Sequence, residues 1–370
     1  MIRIYIIGAG VIGRYHAEAV RKLSVEEPVL LKVADPNQQT LSVFQEAFPE
    51  AEAYADAGVM LSEAAKEDDI VIIGTPPFTH FELSRMALKS GRHVLCEKPL
   101  VMNGKEAEEL LELAKRQNRM LGCCSDRFLG LSKTEEVKQL LLSQTLGNLY
   151  KVTFVYRNQR SRAGVEYQPE SKWFLDRVKS GGGILMDWGP YDFTVLNDLL
   201  NPEAIEVVAA WTSQPVTEID PADITYDVEG HVGAMLQYCL PEGKKVWVQY
   251  ERASCTHGEP YHHVELEGTM GAVKWSPYFE TDEVVFKQDK EGQVNTQESL
   301  IAHNSPYTVM DHPIYYFYRK VRGLDSRATI NEQAVFNLQC LQAIYDCAET
   351  GLSQTVSMLS RNELVSFPCK

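Results

Sequence analysis

Residues 6–13, Ile-Ile-Gly-Ala-Gly-Val-Ile-Gly, constrain this chain more than any other stretch. They place Gly8, Gly10 and Gly13 between an apolar strand-like run, residues 2–7, and the start of a helix. In that context each glycine has its own task. Gly8 permits a tight turn, Gly10 admits a pyrophosphate to the backbone, and Gly13 lets helix and strand pack closely. The helix start, with the N–H groups of Val11 and Ile12, offers donors and the positive end of the helix dipole to phosphate. The next strand ends in Asp35, 22 residues beyond Gly13. A carboxylate there accepts hydrogen bonds from ribose hydroxyls and repels a 2′-phosphate, so NAD is favoured over NADP.

The pattern that follows is an alternation. Strand-like runs at 29–34, 69–74, 93–96 and 120–124 are separated by amphipathic stretches, as in 105–117, where Ala107, Leu110, Leu111 and Ala114 keep helical spacing. This predicts an N-terminal doubly wound parallel sheet over residues 1–125. After residue 125 the texture changes to short alternating runs between turn residues, which predicts an α/β domain over 126–370 with a large, mostly antiparallel sheet. Two domains suit 370 residues.

The formal charge of −15 and the lack of a Lys/Arg block argue against a nucleic-acid partner. No apolar run is long enough to span a bilayer, so no membrane partner is expected. A strand beginning at residue 2 leaves no room for a signal peptide, and the eight scattered cysteines form no disulfide framework. The expected location is the cytoplasm. Cys255, His257, His262 and His263 match no common zinc spacing, and on a strand His262 and His263 would face opposite sides, so no metal is expected.

Thr75-Pro76-Pro77 and Glu97-Lys98-Pro99 each follow a strand of the first domain. Ligands of such sheets sit outside the carboxyl ends of the strands, so Lys98 is delivered to the crevice. Pro99 stiffens the backbone there, and a Lys–Pro bond tolerates the cis form. Further on, Gly181-Gly182-Gly183 precedes Asp187 and Tyr191, which share a face if both lie on one helix. Pro190 between them is a potential kink.

With Gly8, Gly10, Gly13, Thr75-Pro76, His80, Glu97-Lys98-Pro99, 181–193 and 264–273 in place, the whole chain resembles the Gfo/Idh/MocA family of NAD(P)-dependent oxidoreductases. The resemblance implies a Rossmann domain followed by an open-sheet domain that often forms a homodimer or homotetramer interface. It implies cofactor contacts from Thr75, Pro76, His80, Glu97 and Lys98, with the lysine reaching a substrate oxygen. It further implies a sugar-like substrate lined by Arg127, Tyr156, Arg157, Asn158, Lys172 and Trp173. Many members carry histidine where this chain has Tyr191; other active branches carry tyrosine. The expected catalytic set is therefore Lys98, Asp187 and Tyr191. Lys98 would lower the phenol pKa towards working pH, and Asp187 would orient substrate or hold Lys98. The implied reaction interconverts a secondary alcohol and a ketone on a sugar or cyclitol. Two alternatives stay open. One is a tightly held NAD that oxidises a sugar transiently to permit elimination or hydrolysis. The other is a non-enzymatic sensor, which would not need Lys98.

Overall fold

The computed structural model describes residues 1–159, 169–215, 225–278 and 281–358. The N-terminal part alternates β1 (Ile2–Ile7), α1 (Val11–Leu23), β2 (Val29–Ala34), α2 (Gln38–Ala47), β3 (Glu52–Tyr54), α3 (Ala57–Met60), β4 (Ile70–Ile73), α4 (His80–Lys89), β5 (His93–Cys96), α5 (Gly104–Gln117) and β6 (Leu121–Cys123). The strands form one parallel sheet in the order β3-β2-β1-β4-β5-β6. Both faces are covered, so β1, β4 and β5 are buried along their whole length, including Arg3 of β1, which pairs with buried Asp69. The order reverses between β1 and β4, which opens a crevice at their carboxyl ends.

The chain continues through α6 (Ser132–Leu142), β7 (Leu149–Arg157), α7 (Arg177–Ser180), α8 (Ile184–Leu200), β8 (Ala204–Ser213), β9 (His231–Cys239), β10 (Lys245–Ala253), β11 (Tyr261–Gly268), β12 (Gly271–Trp275), β13 (Glu283–Lys290) and β14 (Gln293–Leu300). It ends with α9 (His312–Val321), α10 (Glu332–Thr350) and β15 (Gln354–Ser357). The second sheet runs β14-β13-β12-β11-β7-β10-β9-β8-β15, with β7 and β10 parallel and its other pairs antiparallel. Its strands do alternate. In β10, Val246, Val248, Tyr250 and Arg252 face the covered side, while Lys245, Trp247 and Gln249 face out. Helix α8 lies on the covered side, apolar around most of its circumference and buried to match. It runs unbroken through Pro190.

Helix α9, within the range 126–370 assigned to the second domain, packs on the first sheet. Ile314, Phe317 and Tyr318 share a core with β1, β2 and α1. Residues 329–331 run along the free edge of β6, where Cys123 N–H donates to the Thr329 carbonyl and Leu121 N–H to Asn331 Oδ1. That segment covers an edge strand. Among the described residues no helix is long and apolar enough to cross a membrane.

Candidate active site

The glycine turn is shaped by close approach. Gly8 has φ +102°, and a Cβ there would lie 2.6 Å from the Gly74 carbonyl oxygen. A Cβ on Gly13 would lie 2.0 Å from the Gly8 oxygen, whereas one on Gly10 would meet nothing within 4 Å. Gly8 and Gly13 are thus packing glycines, and Gly10 faces open space. Gly10 also caps α1 without any side-chain hydrogen bond to the helix, and Val11 is 64% exposed. Val11 and Ile12 therefore present an uncapped helix start to that space. Asp35 is pinned beside it, accepting from Ala9 N–H and Asn37 N–H at 2.8 Å each. Open cradle, bare helix start and adjacent carboxylate fit a dinucleotide.

Thr75 and Pro76 stand half-buried at the end of β4. His80 and Glu97, expected among the cofactor contacts, are buried in the wall of the crevice. His80 has no exposed surface, and its ring nitrogens sit 2.8 Å from the carbonyl oxygens of Thr75 and Pro99. It ties the two loops of the crevice together. Glu97 is buried between His16 Nε2 at 2.9 Å and Arg127 Nη2 at 3.0 Å, and its Oε2 accepts from Lys98 N–H. Burial raises the Glu97 pKa, but Arg127 and His16 outweigh it, so the carboxyl is held well below its usual range.

The Lys98–Pro99 peptide is cis. Lys98 Nζ donates to Asp187 Oδ1 at 2.7 Å and to the Asp187 carbonyl at 2.8 Å. It also lies 5.1 Å from the centre of the Tyr191 ring, with the Arg127 guanidinium 5.5 Å from the same ring. Lysine from the first sheet and Asp187 and Tyr191 from α8 thus meet at one point. Asp187 holds the lysine. The phenol departs from expectation: Tyr191 is 3% exposed, and burial drives its pKa well above the usual value. Arg127 opposes the rise, while Glu97 and Asp187 add to it. At neutral pH the phenol is protonated, a hydrogen-bond donor and not a base.

The expected substrate residues separate. Arg127 is spent on Glu97 and the Tyr191 ring, so it braces the site. Tyr156 is 2% exposed, its hydroxyl on Ser276 Oγ and its ring under Arg252, which places it in the core. Arg157, one residue on, faces the open side of the sheet over Tyr261 and near Glu251, away from α8. Asn158 holds His262 at 2.9 Å. Lys172 is exposed, and half-buried Trp173 stacks on Phe174 at 3.8 Å, in a segment leading to α7, which packs against residues 77–79. His262 and His263 do point to opposite sides, His263 towards Tyr261 and Glu265.

Residues 2–124 match the oxidoreductase family described as having an NAD-binding Rossmann fold, and residues 134–274 match the GFO/IDH/MocA C-terminal domain. The chain belongs to the GFO/IDH/MocA oxidoreductase family. It is 26% identical to a D-glucoside 3-dehydrogenase of Escherichia coli K12 over 95% of this chain and 96% of that one. It is 27% identical to an inositol 2-dehydrogenase of Rhizobium meliloti over 74% of each. A levoglucosan dehydrogenase in complex with NADH shares the fold, with a TM-score of 0.78 at 18% identity, covering 97% of this chain and all of the other.

Within this GFO/IDH/MocA site three features escaped the sequence reading. His16, on the buried face of α1, joins Glu97 and Cys124; their ligand atoms lie within 4.8 Å of one another. Arg127 already occupies Glu97, and burial keeps the Cys124 thiol protonated, so the trio is a hydrogen-bonded brace. Its signal was the helical spacing of His16 from Gly13, Ala17 and Val20. Second, Asp192 and Arg252 form a fully buried pair joined by the hydroxyls of Tyr250 and Tyr278. Third, half-buried Trp188 meets the rings of Phe128, Tyr191 and Tyr278 and stands beside Asp187. Of the tryptophans, this one contacts the Tyr191 ring.

Proposed function

We propose that this protein is an NAD-dependent dehydrogenase that interconverts a secondary alcohol and a ketone on a sugar or cyclitol. The observation that carries the reading is the Lys98–Asp187 pair at 2.7 Å, set at the carboxyl end of β5 within the glycine-turn domain. Bound NAD would supply hydride acceptance and return. Gly10, Val11 and Ile12 would hold its pyrophosphate, and Asp35 its ribose hydroxyls, which supports NAD over NADP. Lys98 would take up the hydroxyl proton as it hands one of its own to the Asp187 carboxylate that holds it, and its charge would stabilise the developing alkoxide. Tyr191 would donate a hydrogen bond to the same oxygen. The names of the relatives, glucoside and inositol dehydrogenases, support a polyhydroxylated ring as substrate.

The test is NADH absorbance with NAD and a panel of glucosides, aldoses and inositols, with Lys98→Ala alongside. Turnover that Lys98→Ala abolishes supports the reading. Full turnover in Lys98→Ala refutes the role of the lysine, and product without net NADH would favour a retained cofactor.

We also infer a homo-oligomer joined through the open face of the second sheet. Trp211, Met235 and Trp247 stand there with 40–46% of their surface exposed, a patch suited to a second copy. Trp247→Lys with Met235→Lys is expected to reduce the mass measured by light scattering.

A further inference from the structure

Helix α8 brings Asp187 to Lys98, yet its own first turn has no capping side chain. The residue before it, Gly183, caps it with nothing. Consecutive N–H groups there need acceptors. Three of them, on Gly183, Ile184 and Leu185, find one residue, Glu229, which lies 46 positions beyond Gly183. Gly183 N–H donates to Oε2 at 2.9 Å and Oε1 at 3.1 Å, and Leu185 N–H to Oε1 at 3.0 Å. Ile184 N–H donates to the Glu229 backbone oxygen at 3.1 Å. Tyr345 of α10 adds its hydroxyl to Oε1 at 2.7 Å.

The triple glycine is built around this contact. A Cβ on Gly183 would lie 1.8 Å from the Glu229 oxygen, and one on Gly182 would lie 2.2 Å from the Tyr345 hydroxyl. The clasp is itself anchored: Gly230 N–H donates to the Ser213 carbonyl, and Ser254 N–H to the Gly230 carbonyl. Two residues earlier, Asp227 N–H donates to the Leu175 carbonyl, and Asp227 Oδ1 accepts from Arg177 N–H at 2.7 Å. One strap therefore fixes both the start of α8 and the segment that carries Lys172 and Trp173.

We propose that Glu229 is a positioning residue, which sets the first turn of α8 and so keeps Asp187 on Lys98. The proposal rests on the reading of Lys98 and Asp187 given above. Glu229→Ala is expected to lower kcat by about tenfold to a hundredfold, the penalty of a small misplacement, with KM for NAD within about twofold because the cradle at Gly10 is not touched. Acylation of Lys98 by a small reagent, followed by mass spectrometry, should rise at least severalfold as Asp187 leaves the amine. Glu229→Gln retains the Oε1 acceptor and is expected to recover kcat to within about threefold.

Wild-type kcat and wild-type Lys98 acylation in folded Glu229→Ala would overturn the proposal. So would a kcat loss with unchanged acylation. Where Glu229→Ala does not fold, Glu229→Asp, a carboxylate one methylene short, carries the same acylation test: a rise supports it and wild-type labelling overturns it. The acylation needs no turnover. An active Lys98→Ala would therefore remove the catalytic reading and leave the positioning test readable.

Discussion

Tyr191→Phe separates two roles for the phenol. The ring has an edge-on contact with Phe128 at 5.1 Å, another with Trp188 at 5.6 Å, and two cations over its face. Phenylalanine keeps all of these. Among the described residues no group hydrogen-bonds the hydroxyl, so its removal leaves no protein partner stranded. Stability should change by less than about 0.5 kcal/mol. What is lost is one donor to a substrate oxygen that gains charge in the transition state, worth about 1.5–3 kcal/mol, or about tenfold to 150-fold in kcat. Because burial raises the phenol pKa well above its ordinary value, the tyrosine does not titrate in the working range. The pH–rate profile of the variant should therefore have the wild-type shape. Lys98→Met should cost about a thousandfold or more, as it removes the amine. Initial-rate NADH assays across neutral pH decide the matter. A loss far beyond 150-fold together with a missing titration limb would show that the tyrosine is a proton shuttle after all. Full activity would reduce it to packing.

Glu97→Gln leaves Arg127 buried beside a neutral amide, and breaking such a pair should cost about 3–5 kcal/mol in a urea titration. Asp35→Ser removes the repulsion of a 2′-phosphate; the NADP:NAD ratio of kcat/KM should rise at least tenfold, and an unchanged ratio would refute the role of the carboxylate. Burial pushes the pKa of His312 down to about 4, below the free value of about 6.5. The unfolded chain then binds the extra proton first. This stability is complete above the unfolded pKa and is lost as pH falls towards 4, by up to about 3 kcal/mol. Urea midpoints compared across that window should fall less steeply in His312→Gln.

The parts of this molecule that obey one local rule were legible in the sequence. Strands β1, β2 and β5 fall where strand-like runs rich in apolar residues placed them, and the glycine spacing located the cradle. Segments that depend on distant partners were not. Strand β3 has three residues and no apolar run; it exists because β2 offers it an edge. Strand β14 is exposed along its length and is held by its pairing with β13. At the site, Lys98 and Asp187 are legible because motif and helix periodicity bring them in. Arg157 and Tyr156 part because of the two-residue period of β7: a one-residue step decides which side of the sheet a side chain serves, and proximity in sequence to a site says nothing of it. Lys98 alone would lower the Tyr191 pKa; burial first, then Glu97 and Asp187, all set by the fold, raise it.

The charges around Tyr191 also decide what a histidine would do there, the residue that the family resemblance implies at this position in many members. Lys98 and Arg127 both lie within 5.5 Å of the ring centre, each committed to a carboxylate, and a neutral aromatic face attracts such cations. An imidazolium in place of the Tyr191 ring would be repelled by both. Tyr191→His should therefore present a neutral imidazole at neutral pH, able to exchange a proton with a substrate hydroxyl, which the protonated phenol does not do. The smaller ring gives up part of its contact with Phe128 and Trp188, at about 1–2 kcal/mol in stability. Activity should exceed that of Tyr191→Phe, and the pH–rate profile should gain an acidic limb below about pH 6, where the imidazole charges. If Tyr191→His matches Tyr191→Phe in both rate and profile, the residue at this position does not take part in proton movement, and Lys98 carries that step alone.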